Sequence, residues 1–147
     1  TVSCKPDKFI RNKELVREAL EARKQSYCPY SGFAVGAALL CGDGTVFRGC
    51  NIENAAYPAT NCAERTAMFK AVSEGNTDFR AIAIVGGPKG KEPKDFCAPC
   101  GVCRQVMAEF CDPETFRIVL MNGDGEIRDY LLKELLPLGF TGKALEK

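Results

Sequence analysis

The chain is 147 residues long, 46% hydrophobic and 27% charged, which is enough for one buried core and too short for two; it reads as a single domain over residues 1–147. Twenty Lys and Arg face nineteen Asp and Glu, a net charge of +1, so no strong field is available to hold a nucleic acid polymer or an anionic membrane. No apolar run approaches the ~18 residues of a spanning helix, and the polar stretch from Thr1 to Lys13 does not read as a secretory signal.

In chain order, Leu15, Val16, Ala19, Leu20 and Arg23 recur at helical spacing and predict a first helix ending near Tyr27, stopped by Pro29 and the Ser31 and Gly32 pair. A buried strand follows over 33–40, then a Gly42-Asp43-Gly44 turn into a second strand over 45–51. Asn61 is placed to cap a helix over 62–74, with Glu64 at the capping-box offset and Gly75 closing the far end. The apolar run 79–85 predicts a third strand. The mixed Gly, Pro and Lys stretch from Gly86 to Asp95 predicts a surface loop. That loop does not fit a phosphate-binding motif, because three residues, not four, separate Gly86 from Gly90, and Glu92 stands where Ser or Thr is needed. Pro99 suits the first turn of a helix over 100–110. A fourth strand over 115–121 turns at Asn122 to Gly125 into a fifth over 126–131, and short helical pieces follow from Leu132. This order predicts an α/β fold: a three-layer α/β/α sandwich around a mixed five-stranded sheet.

Two residue counts narrow the chemistry. There is no histidine, which excludes Ser–His–Asp and Cys–His catalysis and the H-E-x-x-H type of zinc site. There are nine cysteines, at 4, 28, 41, 50, 62, 97, 100, 103 and 111. An odd number without export signals favours reduced thiols in a cytoplasmic protein, some of them binding metal, over a disulfide framework.

Cys62-Ala63-Glu64 and Pro99-Cys100-Gly101-Val102-Cys103 each fall at the start of a predicted helix. Cys100 and Cys103, three apart, share a helical face and can share a metal. Helix N-termini favour the thiolate form. If the two N-termini converge, Cys62 completes three sulfur ligands, an open fourth position remains, and Glu64 can face it. Three ligands and an open position are the catalytic form of a zinc site, in which the metal brings the pKa of water to roughly 7. Cys4, Cys28, Cys41, Cys50 and Cys111 read as small buried hydrophobes. Other readings of the cluster stay open: a redox C-x-x-C pair, a closed structural zinc with Cys97 or Cys50 as fourth ligand, or an iron–sulfur site begun by Cys97, Cys100 and Cys103 but lacking its usual continuation.

The chain resembles the small cytidine deaminases, the three-cysteine homotetrameric kind that acts on free nucleosides. The resemblance is carried by YCPYSGFAVGAALL from Tyr27, GCNIENAAYP from Gly49, NCAERTA from Asn61, PCGVCRQV from Pro99 and ELLPLGF from Glu134. These residues match the general pattern of the zinc deaminases, ligands with an adjacent glutamate that is not itself a ligand. The resemblance implies one zinc per chain on Cys62, Cys100 and Cys103, with Glu64 as proton shuttle. It implies that Asn51 and Glu53 bind the sugar hydroxyls and that Phe33 packs on the nucleoside. The Ala63 backbone and Asn54, Ala55, Ala56 and Tyr57 would line the pocket, and Phe140 would reach a neighbouring subunit's site. The activity implied is hydrolysis of cytidine and 2′-deoxycytidine to uridine and 2′-deoxyuridine with release of ammonia, in pyrimidine salvage. Competing readings are a polynucleotide deaminase, a deaminase of another aminopyrimidine, and a non-catalytic zinc-stabilised interaction domain. The first usually carries histidine at the first ligand position and a basic groove, both lacking here.

One residue follows from charge. Three thiolates around a dication leave the site negative, which opposes the acidification of water. An arginine hydrogen-bonded to a ligand sulfur would offset this. Arg65, beside Glu64, is the first candidate and Arg104, beside Cys103, the second.

Overall fold

The computed structural model describes residues 11–145. Cys4 lies outside them. Among the described residues no helix is long and apolar enough to cross a membrane.

Helix α1 (Asn12–Arg23) leads to strands β1 (Phe33–Cys41) and β2 (Val46–Cys50), then a 3-10 turn (Tyr57–Ala59) and α2 (Ala63–Ser73). Strand β3 (Phe79–Pro88), α3 (Gly101–Phe110), β4 (Arg117–Met121), β5 (Ile127–Leu131), α4 (Leu132–Leu135) and a 3-10 turn (Gly142–Leu145) complete the order. The five strands form one sheet in the order β2-β1-β3-β4-β5. β3 and β4 run parallel, joined through α3, and the other neighbouring pairs are antiparallel.

Strand alternation divides the core into two layers. On one face Ala38, Leu40, Ala81, Ala83, Val85 and Val119 pack against Leu15, Val16 and Ala19 of α1. On the other, Ala37, Leu39, Ile82, Ile84, Ile118 and Leu120 pack against α2 and α3 through Ala67, Met68, Cys103 and Met107. The predicted three-layer sandwich is therefore the observed one. Gly49 lets α2 close onto β2: a Cβ there would stand 2.3 Å from Ala63 O and 2.5 Å from Ala67 N. That close approach fixes the position of the α2 N-terminus.

Several boundaries differ from expectation, and long-range pairing explains each. The first helix ends at Arg23, not near Tyr27. The amides of Lys24, Gln25 and Ser26 bond three residues back, and Tyr27 is drawn into a parallel bridge with Ile52. Asn61 does not cap α2. Its main chain exchanges two bonds with Ile52 and is still extended, so Cys62 becomes the N-cap and no capping box forms with Glu64. Pro99 precedes the N-cap of α3, which is Cys100. β3 runs on to Pro88, so Gly86, Gly87 and Pro88 belong to the sheet, paired with Val35, Ala34 and Phe33. Arg23 secures this extension by donating to the carbonyls of Ala34, Gly87, Pro88 and Lys91 at 2.7–2.9 Å.

Candidate active site

The N-termini of α2 and α3 converge. Cys62 and Cys100 are the two N-caps, and neither spends its side chain on a capping bond. Cys62 Sγ lies 3.7 Å from Cys100 Sγ, and Cys100 Sγ lies 3.4 Å from Cys103 Sγ. All three sulfurs fall within 4.8 Å of one another. Sulfurs bound tetrahedrally to zinc at about 2.3 Å stand roughly 3.8 Å apart, so the donor set and its spacing fit zinc. Neither Cys97 nor Cys50 joins the group among the described residues, which disfavours a closed site of four sulfurs. The other cysteines sort as small hydrophobes: Cys28, Cys41 and Cys111 are buried and Cys50 is half-buried.

A hydrogen bond from the Cys103 thiol, with Arg65 beside it, lowers Cys62 to about 5. Cys103, donating to that sulfur and buried, is raised. Arg65 Nη2 donates to Cys62 Sγ at 3.2 Å, while Arg65 Nε is buried with no hydrogen-bond partner. Arg104 turns away from the sulfurs and donates instead to Pro99 O at 2.8 Å and Leu135 O at 2.7 Å. Of the two arginines beside ligand positions, the structure thus brings Arg65 to the cluster.

Glu64 is only 4% exposed. Burial, reinforced by the charge of Cys62, raises its carboxyl to about 7. It opens onto a cleft of about 200 Å³ with Asn51, Cys62, Ala63 and Cys100, also walled by Val35, Thr60, Asn61, Cys97 and Ala98. A larger cavity of about 440 Å³ lies elsewhere, between Asp78, Phe79, Phe110 and Arg117, and holds no sulfur ligand.

Within one chain the remaining expected substrate residues do not line this cleft. Phe33 borders a neighbouring hollow with Gly86 and Phe96. The absence of a side chain at Gly86 makes room for it: a Cβ there would stand 2.8 Å from Cys97 Sγ and 3.0 Å from Phe33 Cε2. Glu53 accepts from the amides of Tyr30 and Ser31 and from the Ser31 hydroxyl, which lowers its pKa. Asn54 Oδ1 accepts from Ala56 N at 2.8 Å and shapes the loop into the 3-10 turn. Asn54, Ala55, Ala56 and Tyr57 are all exposed, Tyr57 by 86%. Phe140 is 59% exposed, its carbonyl held by Gln105 Nε2 at 2.9 Å. Sequence reasoning does not place Val35, Thr60 or Ala98 in this wall, and offers Cys97 only as a candidate fourth ligand. Only Val35 carried a signal, as the β1 residue two on from Phe33 and so on the same face.

Converged helix N-termini with three thiols and a buried carboxylate, on a mixed α/β/α frame, define a zinc-site protein of the deaminase class. The family described as the cytidine and deoxycytidylate deaminase zinc-binding region matches residues 10–119, and the chain belongs to it. A cytidine deaminase of Halalkalibacterium halodurans is 54% identical over 129 residues, covering 88% of this chain and 93% of its own. One from Sporosarcina psychrophila is 50% identical over 133 residues, covering 90% and 93%. The crystal structure of cytidine deaminase from Burkholderia pseudomallei superposes with a TM-score of 0.80 at 47% identity, covering 89% of this chain and all of that one.

Proposed function

We propose that the chain is one deaminase domain that hydrolyses cytidine and 2′-deoxycytidine to uridine and 2′-deoxyuridine, releasing ammonia. The observation that carries this is the buried Glu64 carboxyl opening onto the same cleft as three clustered sulfurs. Cys62, Cys100 and Cys103 would hold one zinc per chain. Bound there, zinc supplies a Lewis acid that makes water nucleophilic near neutral pH.

The chain's own groups do the rest. Glu64, with a carboxyl near 7, can both take and give a proton at neutral pH. It accepts a proton from the attacking water as C4 gains the hydroxyl, and passes it to ring N3. It then moves the proton of that new hydroxyl to the leaving amine. The C4–N bond breaks, ammonia departs and the carbonyl of uridine remains. One water is consumed and the carboxylate is regenerated. Arg65, donating to Cys62 Sγ, offsets the negative charge of the thiolates. Asn51 and Glu53 bind sugar hydroxyls, Phe33 packs on the nucleoside, and the Ala63 backbone and the segment from Asn54 to Tyr57 complete the pocket.

The exposed apolar side chains of Tyr57, Val102, Leu138 and Phe140 suit burial against further copies of the chain, in a homotetramer where Phe140 enters a neighbour's site. Eight unpaired cysteines among the described residues suit a reducing cytoplasm and a role in pyrimidine salvage. The test is zinc content by mass spectrometry together with an ultraviolet assay on cytidine. Stoichiometric zinc with turnover is expected. Zinc without turnover of cytidine would leave a structural metal site in place of this reading.

A further inference from the structure

The connection between α1 and β1, residues 24–32, holds both side chains assigned to the sugar. Ser26 meets Asn51 and Ser31 meets Glu53. We propose that Ser26 is a positioning residue for sugar recognition, acting through Asn51. This inference rests on the functional reading above.

An asparagine amide offers two acceptor directions and two N–H groups. In Asn51, Oδ1 accepts from Val35 N at 2.9 Å and from the Ser26 hydroxyl, while Nδ2 donates to Phe33 O at 2.8 Å. One N–H is left, and Asn51 lines the cleft. The two β1 main-chain groups set the polarity. Turning the amide over would place NH₂ against the Val35 N–H and oxygen against the Phe33 carbonyl. They act on one side only, and Ser26 holds the amide from the other.

Ser26 is well placed for this task. It is 3% exposed, so water does not compete for its hydroxyl. Its own main chain is tied at both ends: its amide donates to Arg23 O at 3.1 Å, and its carbonyl accepts from Lys89 Nζ. The partner pair is built the same way, with the serine hydroxyl donating. Ser31 Oγ accepts from Phe33 N at 3.0 Å and donates to Glu53, whose carboxylate offers only acceptors. Asn51 thus presents a donor and Glu53 an acceptor. Together they complement a hydroxyl whose oxygen accepts from one and whose hydrogen goes to the other. Loosening Asn51 should weaken that recognition and leave the chemistry at C4 alone.

The experiment compares zinc-loaded wild type and Ser26→Ala by steady-state kinetics on cytidine and on 2′,3′-dideoxycytidine, with uridine affinity by calorimetry. A lost hydrogen bond of this kind corresponds to about three- to tenfold. Ser26→Ala should raise KM for cytidine and Kd for uridine by that factor, with kcat within twofold and zinc content unchanged. On the dideoxynucleoside the two enzymes should agree within twofold. In an Asn51→Ala background the second change should add less than twofold. Unchanged KM in an active enzyme overturns the inference, as does an equal loss on both nucleosides or a fall in kcat with lost zinc. A wild type that neither turns over cytidine nor binds uridine overturns the functional reading as well, which separates the two failures.

Discussion

The two helix N-termini that meet at the site are built from similar parts and carry different loads. At α3 the first turn brings two sulfurs, Cys100 and Cys103, and no charged side chain to the cluster, since Arg104 faces Pro99 and Leu135. At α2 the first turn brings one sulfur, the buried carboxyl of Glu64, and Arg65 at 3.2 Å from that sulfur. Cys62, which accepts from the Cys103 thiol and from Arg65, is the sulfur on which negative charge is favoured. The difference teaches that holding a metal and moving a proton are separable tasks here. α3 supplies grip, and α2 supplies charge and acid–base chemistry.

The sharpest way to break this division is to remove the grip. Cys100→Ala and Cys103→Ala should each abolish stoichiometric zinc, read by mass spectrometry, and bring deamination to the detection limit. Cys97→Ala should keep both, because Cys97 walls the cleft but lies outside the three-sulfur group. Equal zinc loss from Cys97→Ala would move the ligand set. Next in size comes Glu64→Gln, which preserves shape but cannot carry a proton. Zinc should remain, while kcat falls by at least the ~10²–10⁴-fold that a positioned acid–base group contributes. A kcat within tenfold of wild type would assign the proton transfer elsewhere.

How far the sequence reveals this arrangement depends on the range of the interactions. The central strands are legible because continuous apolar runs such as 81–85 cannot be satisfied except between two layers. The sulfur cluster was legible because the three-residue spacing of Cys100 and Cys103 fixes a shared face. Asn61 looked like a cap because local chemistry says so, yet its bond exchange with Ile52 overrides that preference. The same override ends α1 at Arg23. Cys97 and Ala98 reach the cleft only because the 89–100 loop folds back from β3, and nothing local signals it. Ser26 was invisible for a similar reason: its partner, Asn51, is 25 residues away. Charge and a turn's reach favour Arg65 over Arg104 in the sequence, and in the fold Arg65 Nη2 lies 3.2 Å from Cys62 Sγ.

Arg65 sharpens the comparison within α2. Arg65→Gln should keep zinc and lower kcat by roughly 10–100-fold, the usual scale for a group that tunes a metal ligand. Withdrawing positive charge makes each proton at the site harder to remove, so the acidic limb of the pH–rate profile should move to higher pH. Replacing Cys62 by His in that background returns positive charge and should recover part of the activity. A profile that does not move would show that the thiolate charge is compensated by the helix N-termini alone.

The smallest effect should come from Arg104, and it tests whether α3 grips without help. Arg104 is half-buried and joins the segment before α3 to the end of α4 through the carbonyls of Pro99 and Leu135. Neither bond touches a sulfur. Arg104→Ala therefore removes a clamp between two chain segments and leaves the donor set intact. Hydrogen bonds from a charged group contribute about 1.5–3 kcal/mol, and solvent access to this side chain places the loss at the lower end. For a chain of this size that is a fall in Tm of roughly 3–6 °C. Zinc content should be unchanged and kcat within about threefold, since Cys100 is held as the N-cap of α3 and Cys103 is buried in the core. Calorimetry and metal analysis on one preparation read both quantities. Loss of zinc alongside stability would show that α3 depends on its neighbours for the cysteine geometry, and that the division between the two helix ends is less complete than their side chains suggest.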